Sequence, residues 1–314
     1  MHRPWISLLL LYAAWPAETV FDLAGRLHPE ERASVTIFGD AFPFTASTLS
    51  EEDGRFQFKK LRPGPYTVSI FTPDRGEARK TIEIGPSAAD ARGRIALDIT
   101  FNDSDFALAD SLRRRHSVST ARLAIPARAQ RDYEDAHRDL NRHDAEGATR
   151  RLQEAIALAP QFVDAWNELG TIAYQTQHYD HAEKYFRAAL EHDPQAYEPL
   201  VNLGGVLVTV NRAEEAWKYN AMAVAARPND ALAHSQLGMN CFELGDLACG
   251  AKELEHARAI DPAHFSHPQL LLAEIYVRRG AKRAAADALE EFLQYHPDWP
   301  QRDQLRRKIV ELRK

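Results

Sequence analysis

Two incompatible periods divide the chain. Between Val20 and Phe101, apolar and polar residues alternate in short runs: "VFDLAGRL", "SVTIF", "GRFQFKKL", "YTVSIF", "KTIEI" and "RIALDITF". Gly, Pro, Asp and Ser separate the runs. Side chains alternate between the two faces of a strand, so each run predicts one half-buried strand, and several at close spacing predict a sandwich. From residue 129 onward the alternation gives way to apolar residues recurring with the helical period. The pattern predicts a multidomain protein. An N-terminal antiparallel β-sandwich spans 18–101. A linker over 102–128 has room for one more strand at "SVSTARLAI". An all-α array follows.

The stretch "DGRFQFKKLRPGPYTVSI" shows the logic of the β part. Asp53-Gly54 offers the positive φ that a tight hairpin needs. Phe56 and Phe58 then share one face, and Arg55 and Gln57 the other. Pro63-Gly64 marks the next turn, and Tyr66, Val68 and Ile70 form a second inward set. Asp53-Gly54-Arg55-Phe56, Leu61, Pro63-Gly64 and Tyr66-Thr67-Val68 together resemble the carboxypeptidase regulatory-like, or transthyretin-like, sandwich. The resemblance covers the β part alone. It implies a non-catalytic accessory module of exported proteins.

In the helical part, prolines fall at 160, 194, 228, 262 and 297, with spacings of 34, 34, 34 and 35. Helical pairs with this period resemble the tetratricopeptide repeat. Counted back from the prolines, repeats start at Ala129, Val163, Tyr197, Ala231 and Ser266. In that family the eighth and twentieth residues must be small where the paired helices approach. Here they are Ala136/Ala148, Gly170/Ala182, Gly204/Ala216, Gly238/Gly250 and Ala273/Ala285. The resemblance implies a superhelical α-solenoid of five repeats over 129–297, with a capping helix over 298–314 on which Leu305, Ile309 and Leu312 form an apolar stripe. Asp132, Asp135 and Asp139 give the first repeat the polar face of a terminal unit. Asn220 stands where a large apolar residue is usual, with Tyr219 or Trp217 to fill the space.

The resemblance also implies a concave groove lined by the first helix of each repeat. Its expected partner-binding residues are Tyr133, His137, Asn167, Thr171, Tyr174, Val201, Val208, Met239, Phe242, Leu270 and Glu274. Tyr174 and Phe242 are the expected anchors. Lysine is absent from these positions, so a clamp for a C-terminal carboxylate is not expected. The expected partner is a peptide or helical segment of another protein, held by apolar contacts that depend weakly on salt.

The net charge of −6 argues against nucleic acid as partner, because phosphates require a basic face. Two cysteines exclude a disulfide scaffold and a four-cysteine zinc site. Cys241 and Cys249 are expected as buried thiols, with a disulfide pinning their helix pair as the alternative. Catalytic and nucleotide-binding motifs are absent from the sequence, and the expectation is a non-enzyme without cofactor or metal. His178/His181 and His256/His264/His267 read as exposed turn histidines. At the N-terminus Arg3 precedes an apolar run from Trp5 to Trp15. That run is shorter than the ~20 residues needed to cross a bilayer, but it suits an export signal over residues 1–17. The expected location is periplasmic or secreted, with membrane contact only through the signal. The expected function is a protein-binding scaffold. The alternative is a carbohydrate-facing accessory, whose sandwich would present Phe42, Phe44 and Phe71 to polysaccharide while the helical array recruits an enzyme.

Overall fold

A computed structural model describes residues 19–106 and 125–314. The expected export signal, and all but the last residue of the "SVSTARLAI" run, lie outside the described residues.

Among the described residues seven strands form the N-terminal part: β1 Phe21–His28, β2 Ser34–Gly39, β3 Thr45–Leu49, β4 Arg55–Leu61, β5 Gly64–Thr72, β6 Gly76–Ile84 and β7 Arg94–Thr100. They make a sandwich of a three-stranded sheet, β4-β1-β7, and a four-stranded sheet, β3-β2-β5-β6. The core between them contains Leu23, Ile37, Phe56, Phe58, Tyr66, Val68, Ile70 and Ile95. Phe56 and Phe58 point inward while Arg55 and Gln57 are exposed, as the alternation requires. Two details depart from expectation. β7 runs parallel to β1, so the smaller sheet is mixed. The Asp53-Gly54 turn does not close a hairpin, because β3 and β4 belong to different sheets and the turn carries the chain across the sandwich. Gly54 is still required there: its φ is 78°, and a Cβ would lie 2.7 Å from the Leu27 carbonyl oxygen.

Eleven helices follow among the described residues: α1 Ala127–Asn141, α2 Ala145–Leu158, α3 Val163–Gln175, α4 Tyr179–His192, α5 Tyr197–Thr209, α6 Ala213–Ala226, α7 Ala231–Glu243, α8 Leu247–Ile260, α9 Pro268–Arg278, α10 Lys282–Tyr295 and α11 Arg302–Leu312. They pair in sequence order, and the predicted small residues sit at the crossings. Ala136, Ala148, Ala182, Ala216, Ala273 and Ala285 are fully buried. The Phe186 ring lies so close to Gly170 that an added Cβ would fall 2.6 Å from its Cδ1. Leu305, Ile309 and Leu312 of α11 cover Leu289, Phe292 and Trp299, closing the end of the array.

Two expectations within the helices are corrected. Cys241 on α7 and Cys249 on α8 are joined by a disulfide, with Cα atoms 5.7 Å apart, rather than left as thiols. The eleventh and nineteenth residues of a repeat face each other within bridging distance. Asn220 is fully buried, and neither neighbour fills its space: Trp217 is exposed and Tyr219 is held by Arg187. Asn220 Nδ2 instead donates to Asn240 Oδ1 at 3.3 Å, and Asn240 Nδ2 donates to the Ala213 carbonyl at 2.7 Å. A polar bridge therefore joins the third and fourth repeats where an apolar side chain is usual.

Candidate functional site

The sandwich docks against the solenoid through β3, which packs on α1, and through one face of β6. In "GEARKTIEI" the residues Ala78, Ile82 and Ile84 enter the sandwich core, so Glu77, Arg79, Thr81 and Glu83 project from the other face. Each meets the solenoid. Arg79 pairs with Glu77 at 2.8 Å and with Glu198 at 3.3 Å. Arg227 pairs with Glu198 at 2.9 Å and Glu77 at 3.9 Å, closing a ring of alternating charge. The Thr81 amide donates to Asp261 Oδ2 at 2.8 Å, and His296 Nδ1 lies 3.4 Å from Glu83 Oε2. Beyond the strand, the Ser87 amide and hydroxyl donate to Asp298 Oδ2 at 3.1 and 2.7 Å. At the opposite end Gln175 Nε2 donates to the Gly39 carbonyl at 2.8 Å, and His143 stacks on Phe44 with ring centroids 5.0 Å apart. β6 is an edge strand with unpaired amides; Asp261 satisfies one of them and blocks pairing with another chain there.

Between the docked surfaces lies a cleft of about 1450 Å³. Its sandwich wall includes Phe38, Asp40, Phe44, Thr67 and Arg79, and its other wall is built from the first four repeats. Of the expected groove residues, Tyr133, His137, Asn167, Thr171 and Tyr174 line it together. Val201, Val208, Met239, Phe242, Leu270 and Glu274 do not. Val201, Val208, Phe242, Leu270 and Glu274 are buried in the solenoid itself. Phe242 packs on Ala251, Leu254, Leu272 and Ile275 from the next helices, with Arg278 4.4 Å over its ring. It is a core residue rather than an anchor, whereas Tyr174 stays 38% exposed on the cleft wall.

The cleft also contains a row absent from the expected set. Glu168, Asn202 and Gln236 are the sixth residues of the second, third and fourth repeats, and all three line it. Asn202 Nδ2 donates to Asn167 Oδ1 at 3.0 Å, and Gln236 lies over Gly205, where a Cβ would come within 2.7 Å of its Nε2. A polar residue recurring at position six of otherwise apolar helices was the available signal. Carboxylates outnumber cations in the lining: Asp164, Glu168, Asp193, Asp230 and Asp261 stand beside Arg79, Lys80 and Arg227, of which Arg79 and Arg227 are committed to Glu77 and Glu198. The groove expected to be apolar with a polar rim carries, in this cleft, an excess of acidic over basic side chains.

Asp40 is the most perturbed carboxyl of the wall. Burial pushes it up to about 8, against the hydrogen bond donated by Thr67 Oγ1 at 2.9 Å, with Asp261 and Glu83 adding repulsion. A carboxyl raised in the folded state contributes full stability below its unfolded value near ~3.9 and loses it as pH climbs to the folded value. Asp40→Asn should therefore match the parent in stability near pH 4 and exceed it increasingly up to about pH 8. Denaturant melts across that range provide the measurement, and a constant difference would show that Asp40 stays ionised.

Residues 163–196 match the tetratricopeptide repeat family model. The human cell division cycle protein 16 homolog is 31% identical over 100 residues, covering 29% of this chain and 16% of that protein. The chain therefore matches about a sixth of this relative's length. MamA from Desulfovibrio magneticus RS-1 superposes with a TM-score of 0.50 at 22% identity, covering 56% of this chain and 99% of that one. PilW, a widely conserved type IV pilus biogenesis factor, gives a TM-score of 0.51 at 19% identity over 60% of this chain and 91% of that one. The chain is a β-sandwich joined to an all-α superhelix of tetratricopeptide-like fold.

Proposed function

We propose that the protein is a non-enzymatic, extracytoplasmic scaffold that holds an extended segment of a partner protein in the cleft between sandwich and solenoid. Tetratricopeptide repeat proteins serve as protein–protein interaction scaffolds. The observation that carries the reading is the cleft itself. Concave helices and sandwich supply its two walls, Tyr174 offers an aromatic surface, and Asn167 and Asn202 offer amides to a backbone. The acidic lining favours a segment carrying lysine or arginine beside an apolar residue. The sandwich, which we assign to the carboxypeptidase regulatory-like modules on its Asp53-Gly54-Arg55-Phe56 pattern, is a fixed wall rather than a sugar-binding face. Phe44 is buried and Phe42 packs edge-on against Tyr66, which leaves Phe71 as a lone exposed aromatic among the three candidates. Export through residues 1–17 accords with the Cys241–Cys249 disulfide, a bond that oxidising compartments sustain. N-terminal sequencing of native protein tests this part; an intact Met1 in a cytosolic fraction overturns it.

Selection of a displayed peptide library on the full chain tests the site. Recovered peptides should be basic. Tyr174→Ala should weaken them about 5- to 150-fold, the effect of roughly 1–3 kcal/mol at an aromatic anchor. Glu168→Lys should abolish binding. Raising salt from about 0.1 to 1 M, which shortens the screening length from about 10 to 3 Å, should weaken it strongly. Peptides that bind both variants unchanged would move the site elsewhere.

A further inference from the structure

The fourth residue of a repeat performs one task in several repeats here. Trp166 Nε1 donates to the Pro160 carbonyl at 2.7 Å, and Gln269 Nε2 to the Pro262 carbonyl at 2.7 Å. His234 occupies the same place in the fourth repeat, with Nε2 2.8 Å from the Pro228 carbonyl oxygen. The repeat thereby fixes the ring: Nε2 carries the donated proton, and Nδ1 is left to face α8.

In the second repeat that facing spot is apolar, with Tyr185 5.9 Å from Trp166 between ring centroids. In the fourth repeat the equivalent of Tyr185 is Glu253, and one helical turn further is His256. Glu253 Oε2 lies 2.7 Å from His234 Nδ1, and the two histidine rings are 5.1 Å apart. One ligand atom from each of His234, Glu253 and His256 falls within 4.8 Å of the others. His234 and Glu253 are buried, while His256 reaches solvent.

We propose that His234, Glu253 and His256 bind a divalent transition-metal ion of the borderline-soft class, such as Zn²⁺. Two imidazoles and one carboxylate with an open fourth position form a recognised zinc donor set. The second contact is also in place, because a metal-bound histidine typically donates its other N–H to a backbone carbonyl or carboxylate, as His234 does to Pro228. Glu253 and His256 three residues apart on one helix share a face. The 2.7 Å Nδ1–Oε2 contact need open by only roughly half an ångström for both atoms to reach an ion beside it at ordinary metal–ligand lengths of about 2.0–2.2 Å. Lys252, 3.0 Å from the other Glu253 oxygen, is itself largely exposed and can yield.

The full chain, free of any histidine tag and stripped with a chelator, is titrated calorimetrically with Zn²⁺. One ion should bind per chain and raise the melting temperature. His256→Ala, an exposed change with little effect on folding, should weaken binding at least tenfold, and Glu253→Gln at least as much. His178→Ala should leave it unchanged. Absence of binding to the parent, or affinity unaltered by His256→Ala, overturns the site. Affinity lost in His178→Ala instead would assign the ion to the stacked His178–His181 pair.

Discussion

Gly204→Leu should cost on the order of 1–5 kcal/mol and unfold the third repeat with its neighbours. The cause is not contact with Ala216, the twentieth residue of the repeat. A Cβ on Gly204 would run into Asn220, whose Oδ1 is the nearest atom and whose Cγ would be 2.7 Å away. Asn220 cannot retreat freely, because its Nδ2 is bonded to Asn240, which in turn holds the first helix of the fourth repeat against Ala213. Overpacking accounts for about 1–3 kcal/mol, and stranding the buried amides adds about 1–3 more. Leucine gains at most about 1 kcal/mol of helix propensity over glycine, so the net sign is destabilising. Because solenoid repeats are coupled to nearest neighbours, the loss should be local before it is global. Circular dichroism melts of Gly204→Leu, Asn220→Ala and the double variant form the cycle that checks it. The double variant should recover part of the loss, since the clash and the amide are removed together. A parent-like melt for Gly204→Leu would mean that α5 and α6 cross elsewhere.

The helix pairs were legible because their constraint is local and periodic. A crossing that admits only Gly or Ala recurs at the eighth and twentieth residues, and the prolines mark the period. The strands were legible for the same reason, since Phe56, Phe58, Tyr66, Val68 and Ile70 alternate with polar neighbours. Strand partners were less so. Asp53-Gly54 specifies a turn, but a turn does not specify whether the next strand stays in the same sheet. The cleft was half legible. Tyr133, His137, Asn167, Thr171 and Tyr174 follow from the repeat register, yet the same register assigned Phe242 and Leu270 to a face that the following helices bury. The docking was not legible at all. Glu77, Arg79, Thr81 and Glu83 read as the wet side of a half-buried strand, and the pattern is identical whether water or another domain covers them. Only Glu198, Arg227, Asp261 and His296, far along the chain, decide between the two.

That docking face is where the second large effect is expected. Arg79→Glu should release the sandwich from the solenoid while both halves stay folded. Burial disfavours a charged Arg79, but Glu77 and Glu198 outweigh it and hold the guanidinium pKa above its ordinary value. Reversing its sign places three carboxylates around one point, with Arg227 as the cation shared between them. Breaking a fully buried ion pair costs roughly 3–5 kcal/mol. These side chains are 9 to 34% exposed, so the screened cost is nearer ~1–3 kcal/mol. The other polar contacts of β6 and its flank are hydrogen bonds, each worth about 0.5–1.5 kcal/mol net, or about 1.5–3 where a carboxylate accepts. The packing of β3 on α1, with Phe44 on His143, adds apolar contact at the far end. The β6 hydrogen bonds cannot all persist once the centre of the strand is repelled, and the β3–α1 packing then holds the sandwich at one end only. The Thr81 amide reports the outcome directly. It donates to Asp261 rather than to β5, so undocking returns it to solvent while leaving the β5–β6 ladder intact. Hydrogen exchange at Thr81 should accelerate in Arg79→Glu, and small-angle scattering should show a larger radius of gyration, with the circular dichroism spectrum unchanged. Asp261→Ala should accelerate exchange at Thr81 without the expansion, because the ion ring remains. Unchanged exchange at Thr81 in both variants would mean that β6 does not hold the two halves together.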